Sequence, residues 1–313
     1  MNVTPRVTII MATYNRAHFI FETLLTIQNQ TFKDWECLII DDGGTDSTET
    51  TIAPLLIEDI RFKLIKRSDS YKKGLPGCRN YGLDLAKGDY IIFFDDDDIA
   101  HPQNLELCVK ELSRNKMSFC RYIRDVFFND FDYNFDFSTK YTSFQITSKN
   151  IPAILRFELP FNSCAIMWKK ECFKENRFVE HLMYAEEWEL YTRILSKGYI
   201  GISIEKTLFY GRKHPNSNTG EFYNNDFTRR ASFVEAVLLV LKNLKTEQQL
   251  VKPILKHFIQ LALSFKSFNL FERILLIVDF KGLQLFEIRF YYYTLPFRLF
   301  LYKLLKKNKK VSQ

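Results

Sequence analysis

Four consecutive aspartates, Asp95–Asp98, follow directly on the apolar run Tyr90-Ile91-Ile92-Phe93-Phe94. A run of that length and composition reads as a strand buried on both faces. Pro102 then opens a helical pattern through Leu105, Val109 and Leu112. The carboxylates therefore sit where a buried strand ends, and adjacent like charges raise one another's pKa at a cost in stability. A divalent cation suited to hard oxygen ligands, Mg2+, Mn2+ or Ca2+, removes that cost. Ligands in open α/β sheets bind beyond the carboxyl ends of strands. The run therefore marks a binding edge more readily than a solvated acidic loop.

The chain before this run alternates strand and helix. Arg6–Met11 is a short apolar run rich in β-branched residues, broken by Ala12-Thr13-Tyr14-Asn15. A helix with Phe19, Ile20, Leu24 and Ile27 on one face follows. Glu36–Ile40 is a second strand, ending in the turn-rich Asp41–Thr48; Phe62–Lys66 is a third. Gly74–Gly88 reads as a glycine-rich loop and a short helix. This alternation predicts an α/β fold with right-handed crossovers and a mainly parallel, Rossmann-like sheet. Beyond the run, Met117–Phe144 is aromatic and strand-like. Ser163–Trp168 is a strand, Tyr184–Leu195 a helix, and Gly198-Tyr199-Ile200 a return to strand. A soft boundary near 220 then divides a catalytic domain, 1–222, from a helical C-terminal region, 223–313.

Three strand ends place Thr13-Tyr14-Asn15, Asp41-Asp42 and Asp95–Asp98 on one edge of the sheet. Each alone is weak; together they describe a nucleotide site of backbone, hydroxyl and carboxylate groups. Asp42, expected in a solvent-accessible loop, can accept from a base or ribose, or cap a turn. Neither G-x-G-x-x-G nor G-x-x-x-x-G-K-[ST] occurs. NAD, and ATP in a phosphate-cradling loop, are thereby disfavoured, and a cation must bridge the diphosphate.

Val7–Asn15 (VTIIMATYN), Leu38–Asp46 (LIIDDGGTD), Gly74–Gly82 (GLPGCRNYG) and Gly88–Pro102 (GDYIIFFDDDDIAHP) resemble glycosyltransferase family 2 in order and spacing, over roughly residues 5–220. The resemblance implies a GT-A fold, a nucleotide-sugar donor, most simply a UDP-sugar, and inverting chemistry. It also implies roles. Thr13, Tyr14 and Asn15 belong to the nucleotide pocket, Asp42 meets the base, and Arg79 supports the base or neighbouring carboxylates. Asp95-Asp96-Asp97 is the DXD segment, with Asp96 toward ribose and Asp97 and Asp95 toward Mn2+ or Mg2+. Glu186-Glu187 stands at the family's Glu-Asp segment. Glu187 is then the general base and Glu186 its rival, although both also suit a helix N-terminus. Tyr210–His214 (YGRKH) resembles the Tyr-Arg-x-His segment, which puts Arg212 and His214 on the diphosphate and His214 on the metal. The processive GlnxxArgTrp segment is missing, which points to transfer of one sugar per encounter.

Composition adds bounds. Six cysteines lie apart without a CxxC pair, as expected of reduced thiols in a cytosolic protein. Neither an apolar signal core nor a stretch of 18 uncharged apolar residues is present, so the expected location is cytoplasmic or peripheral on the inner face of a membrane. Thirty Phe and 16 Tyr leave aromatic surface for a partner. Phe290–Leu305 is amphipathic and aromatic, and Lys306, Lys307, Lys309 and Lys310 follow. That end suits an anionic membrane surface, or a packed helix with a frayed tail. Nucleic acid is disfavoured because no recognised binding fold accompanies the charge. The acceptor class is a glycan or lipid-linked sugar. A sugar nucleotidyltransferase and a non-catalytic nucleotide-sugar-binding homologue are the alternatives.

Overall fold

A computed structural model describes residues 4–114, 116–213, 218–224, 226–298 and 300–301. Two compact units result, Met1–Asn243 and Leu244–Gln313. In the first unit, β1 (Val7–Thr13), α1 (Ile20–Gln28), β2 (Trp35–Asp41), α2 (Thr48–Glu58), β3 (Phe62–Lys66), α3 (Leu75–Leu85) and β4 (Tyr90–Phe94) follow the expected alternation. β5 (Ile99–Ala100) and α4 (Asn104–Arg114) come next. They are followed by β6 (Phe119–Phe128), β7 (Ser143–Ile146), α5 (Ile151–Leu155), β8 (Ile166–Lys169), α6 (Glu186–Ser196), β9 (Gly201–Lys213) and α7 (Asn218–Tyr223). α8 (Phe227–Thr246) spans the division between the units.

The nine strands form one sheet in the order β3-β2-β1-β4-β8-β6-β9-β5, with β7 also on β9. β3, β2, β1 and β4 are parallel. All five residues of β4 are buried, as are all but the last of β2, because helices cover both faces of such a sheet. α3 lies close on β1: a Cβ at Gly82 would meet Ile10 Cγ2 at 2.5 Å. β1 has β2 on one side and β4 on the other. Their crossovers diverge there, which opens a crevice at their carboxyl ends.

The second half of the sheet is mixed. β8 runs antiparallel to β4 and β6, β6 and β9 are parallel, and β5 and β7 pair antiparallel with β9. Three local expectations change here. The strand pattern of Met117–Phe144 ends at Phe128, where pairing with β9 stops at Lys213, and residues 129–142 have no regular structure. Ser163–Ala165 is a 3-10 turn ahead of β8. Gly198 is a left-handed turn residue, φ 88°, and strand begins at Gly201.

The composition change near 222 marks the onset of helices, whereas compactness divides the chain after Asn243. Aromatic packing explains the difference. Phe222 of α7 stacks on Tyr184 at 4.4 Å between centroids, and Phe233 of α8 lies 5.7 Å from Trp188. The second unit comprises α9 (Lys252–Ser264), α10 (Phe268–Val278) and α11 (Gly282–Tyr293). Its core includes Ile254, Phe258, Phe271 and Ile274, with Tyr292 stacked on Phe271 at 3.8 Å.

Candidate active site

The carboxyl ends of β1, β2 and β4 and the N-terminus of α6 surround a cleft of about 390 Å³. Thr13, Tyr14, Asp42, Arg79, Asp95, Asp96, Asp97, Glu186, Glu187 and Arg212 all line it. Asn15 does not: its backbone is left-handed, φ 54°, and its Oδ1 accepts from the amide of Thr45 at 2.7 Å. Asn15 thus ties the loop after β1 to the loop after β2. His214 lies outside the described residues, as does the tail from Tyr302 onward.

Asp42 departs from the expected exposed loop. It is 8% exposed, with Oδ1 2.5 Å from Arg67 Nε and Oδ2 accepting from the amide of Gly74 at 2.9 Å. The carboxylate therefore joins the end of β2 to the start of α3, because an Arg partner and a backbone amide compensate its burial. Tyr14 is 45% exposed, and Lys73 Nζ stands 4.5 Å from its ring centroid.

The four aspartates divide by environment. Asp95 and Asp97 are partly exposed toward the cleft, whereas Asp96 and Asp98 are buried. Burial, reinforced by the charge of Asp97, pushes Asp96 up to about 7, against the opposing pull of Arg16 at 3.4 Å. Asp98 accepts from the Arg212 amide at 2.8 Å and from Arg124 Nη2 at 3.2 Å. Arg124 reaches Asp98 across Gly211, where a Cβ would fall 1.6 Å from its Nη2. Asp95, Asp98 and Cys164 offer atoms within 4.8 Å of one another. Burial holds the Cys164 thiol protonated, however, and Arg124 already compensates Asp98. The hard, cleft-facing donors are therefore Asp95 and Asp97. Seven carboxylates and five Lys or Arg side chains line the cleft, and this excess of acid on oxygen donors fits a divalent cation.

Arg79 crosses beneath the cleft floor, 2% exposed. It reaches Glu186 Oε1 at 3.1 Å, Asp95 Oδ1 at 3.2 Å and Ser163 Oγ at 3.0 Å. Glu186 opens α6 and is 5% exposed; burial, then the neighbouring charge of Glu187, raises its pKa despite Arg79. Glu187 is half-buried and faces the cleft. Ala185, just before them, is left-handed at φ 63°, a conformation that costs an L-residue about 1 kcal/mol or more. That strain sets the direction in which α6 starts. Cys78 is a packing residue, its thiol pushed far up by burial.

Sequence reasoning did not find Arg16, Arg124, Ser163 or Glu22. Arg16 adjoins a motif that was read, but its pairing with Asp96 is visible only once the loop is folded.

The profile of the family described as Glycosyl transferase family 2 matches residues 8–175, more than half of the chain. A curated relative is the Escherichia coli UDP-Glc:alpha-D-GlcNAc-diphosphoundecaprenol beta-1,3-glucosyltransferase WfgD. It is 37% identical over 113 residues, 36% of this chain and 43% of that protein, so the match spans less than half of the relative's length. Among solved structures, residues 1–349 of S. aureus TarS in complex with UDP-GlcNAc align with a TM-score of 0.67. The identity is 18%, over 86% of this chain and 79% of that one. The mannosyltransferase PcManGT of Pyrobaculum calidifontis, solved with GDP-Man and Mn2+, aligns with a TM-score of 0.55. Its identity is 16%, over 96% of this chain and 84% of that one. The fold is thus GT-A, and the chain belongs to glycosyl transferase family 2.

Proposed function

We propose that the chain is a metal-dependent, inverting glycosyltransferase. It moves one sugar from a UDP-sugar to a glycan or lipid-linked acceptor in cell-surface polysaccharide synthesis, on the cytosolic face of a membrane. One observation carries this: a single cleft joins an acid-rich strand edge to the start of a helix bearing a half-buried glutamate. The glucosyltransferase named above, with its UDP-Glc donor and diphosphoundecaprenol acceptor, supports the choice of substrates.

Each role follows from an environment. Tyr14, the most exposed aromatic of the cleft, takes the base, displacing Lys73 from its ring. Thr13 and Asp96 lie toward the ribose. Asp42 and Arg79, both committed to protein partners, shape the nucleotide pocket from behind. Asp95 and Asp97, with His214, would hold Mn2+ or Mg2+, which supplies positive charge to the leaving diphosphate. Arg212 has five N–H donors and gives three of them to Asp97 O, Asn129 O and Glu22. The other two serve the diphosphate. Glu187 takes the proton of the acceptor hydroxyl as it attacks the anomeric carbon from the opposite face.

Titration calorimetry tests the donor end. UDP binding is expected to need Mn2+ or Mg2+, and Asp97→Ala to lower affinity about tenfold or more. Equal affinity with chelator and with metal would sink the metal-dependent reading. The nucleotidyltransferase alternative expects a glycine-rich triphosphate loop after β1, where this chain has Thr13-Tyr14-Asn15-Arg16.

The membrane surface is supported by α11. Its inner face carries Tyr292, while Leu283, Phe286, Phe290 and Tyr293 are all more than half exposed, as are Phe297 and Phe300 beyond it. At 100° per residue the four outer positions of α11 fall within an arc of about 80°. No acidic residue follows Glu287 in the sequence, whereas seven Lys or Arg do. No helix among the described residues is long and apolar enough to cross a membrane. Phe290→Ser with Phe297→Ser should reduce sedimentation with phosphatidylglycerol vesicles about tenfold or more, since each ring buries an apolar area worth roughly 1.5–3 kcal/mol. Unchanged sedimentation at an unchanged melting temperature would remove α11 from the contact.

A further inference from the structure

We propose that Glu22 of α1 is a positioning residue of the transfer site, acting through Arg212. The carboxylate accepts from two groups far away in sequence. Its Oε2 pairs with Arg212 Nη2, and its Oε1 takes the hydroxyl of Tyr133 at 2.5 Å. Arg212 in turn donates Nε to the carbonyl of Asp97 at 3.0 Å and Nη1 to the carbonyl of Asn129 at 3.0 Å. Its guanidinium carbon lies 4.9 Å from the Phe19 ring centroid and 4.7 Å from that of Phe127. One cation therefore gathers α1, the acidic run, the end of β6 and the irregular segment after it.

Glu22 supplies the negative charge this gathering requires. Arg212's side chain is nine-tenths buried, and its other two acceptors among the described residues are neutral carbonyls. A buried cation held only by neutral groups costs more than one with an ionic partner. The segment held on the far side is a ladder of rings. Phe131 lies 5.3 Å from Tyr133 and 4.8 Å from Tyr210, while Phe135 lies 5.8 Å from Tyr210 and 5.0 Å from His101. Tyr133 and Phe137 remain about half exposed. Glu22 thus fixes two things at once: the backbone of Asp97 at the cleft, and an aromatic wall covering β5 and β9 next to it. The proposal rests on the metal-binding role of Asp97 for its effect on nucleotide, but not for its effect on the wall.

The test compares wild type with Glu22→Ala and Glu22→Gln. Chymotrypsin cleavage within residues 127–141, read by mass spectrometry, should rise about tenfold in Glu22→Ala, the result of a local opening. Mn2+-supported UDP affinity should fall about fivefold or more, while the melting temperature without nucleotide stays close to wild type; a tenfold change in affinity corresponds to about 1.4 kcal/mol. Glu22→Gln, which keeps an acceptor oxygen but not the charge, should lie between. A general loss of fold in both variants, seen as a lowered melting temperature and faster cleavage throughout the chain, would overturn the proposal, as would wild-type cleavage and affinity in both variants. Should Glu22→Ala not fold, Glu22→Gln decides by the same readings. Should wild type bind no UDP under any condition, the donor reading fails by itself, and cleavage alone decides the role of Glu22.

Discussion

Glu187→Gln is expected to lower the single-turnover rate of sugar transfer by about 10²-fold or more while leaving UDP-sugar affinity near wild type. The expectation comes from the contrast between two adjacent glutamates. Glu186 is 5% exposed and spends one oxygen on Arg79. Burial and the charge of Glu187 push Glu186 toward its protonated form, and a carboxyl that already holds a proton cannot take one from an incoming hydroxyl. Glu187 is half-buried and lines the cleft. Glutamine keeps the volume and removes the basicity, so binding survives and the proton has nowhere to go. Glu186→Gln should instead cost little in the rate and show mainly in stability. Full activity in Glu187→Gln together with a collapse in Glu186→Gln would transfer the role to Glu186. Full activity in both would take this segment out of the chemistry.

The site was legible where chemistry and chain order coincide. β1, β2 and β4 are mainly apolar runs, and each ends abruptly in polar residues, so their carboxyl ends could be aligned without knowing a single contact. The acidic run was readable as a run, but not its division into cleft-facing Asp95 and Asp97 and buried Asp96 and Asp98, which depends on Arg16, Arg124 and the amide of Arg212. The same limit hid the state of Asp42. Nothing near it in sequence announces Arg67, which comes from the end of β3. The second half of the sheet was least readable. Phe127, Phe128, Phe131 and Phe135 look alike in sequence, yet only the first two belong to a strand, because pairing with β9 decides where β6 stops. Glu22 carried no signal at all. It is one acid on the exposed side of an amphipathic helix, and its two partners lie more than a hundred residues away.

Arg79→Met should destabilise the first unit by about 3–5 kcal/mol, the usual result of removing one partner from a buried ion pair, or a fall in melting temperature of roughly 10 °C for a unit of this size. Arg79 is 2% exposed and lies under both Asp95 and Glu186, with the Phe93 and Phe178 rings at 5.6 and 5.4 Å. Methionine can occupy the space between the rings, so the loss is electrostatic more than steric. The pH dependence separates this from a packing defect. Burial and Glu187 already raise the pKa of Glu186 in the folded protein. The folded state therefore holds a proton that the unfolded chain gives up in the ordinary carboxylate range, and stability from this group is present at low pH and lost as pH rises through the folded pKa. Without Arg79 that pKa rises further. The variant then binds more protons than wild type over the interval between the two folded pKa values. Its deficit should be nearly level from pH 5 to about 7 and should widen as pH rises through the wild-type folded pKa of about 8 toward pH 9. Thermal melts of both proteins across that range, without metal or nucleotide, check it. A deficit that stays constant with pH would mean that Arg79 matters as a spacer between Phe93 and Phe178 and that its charge does not hold Glu186.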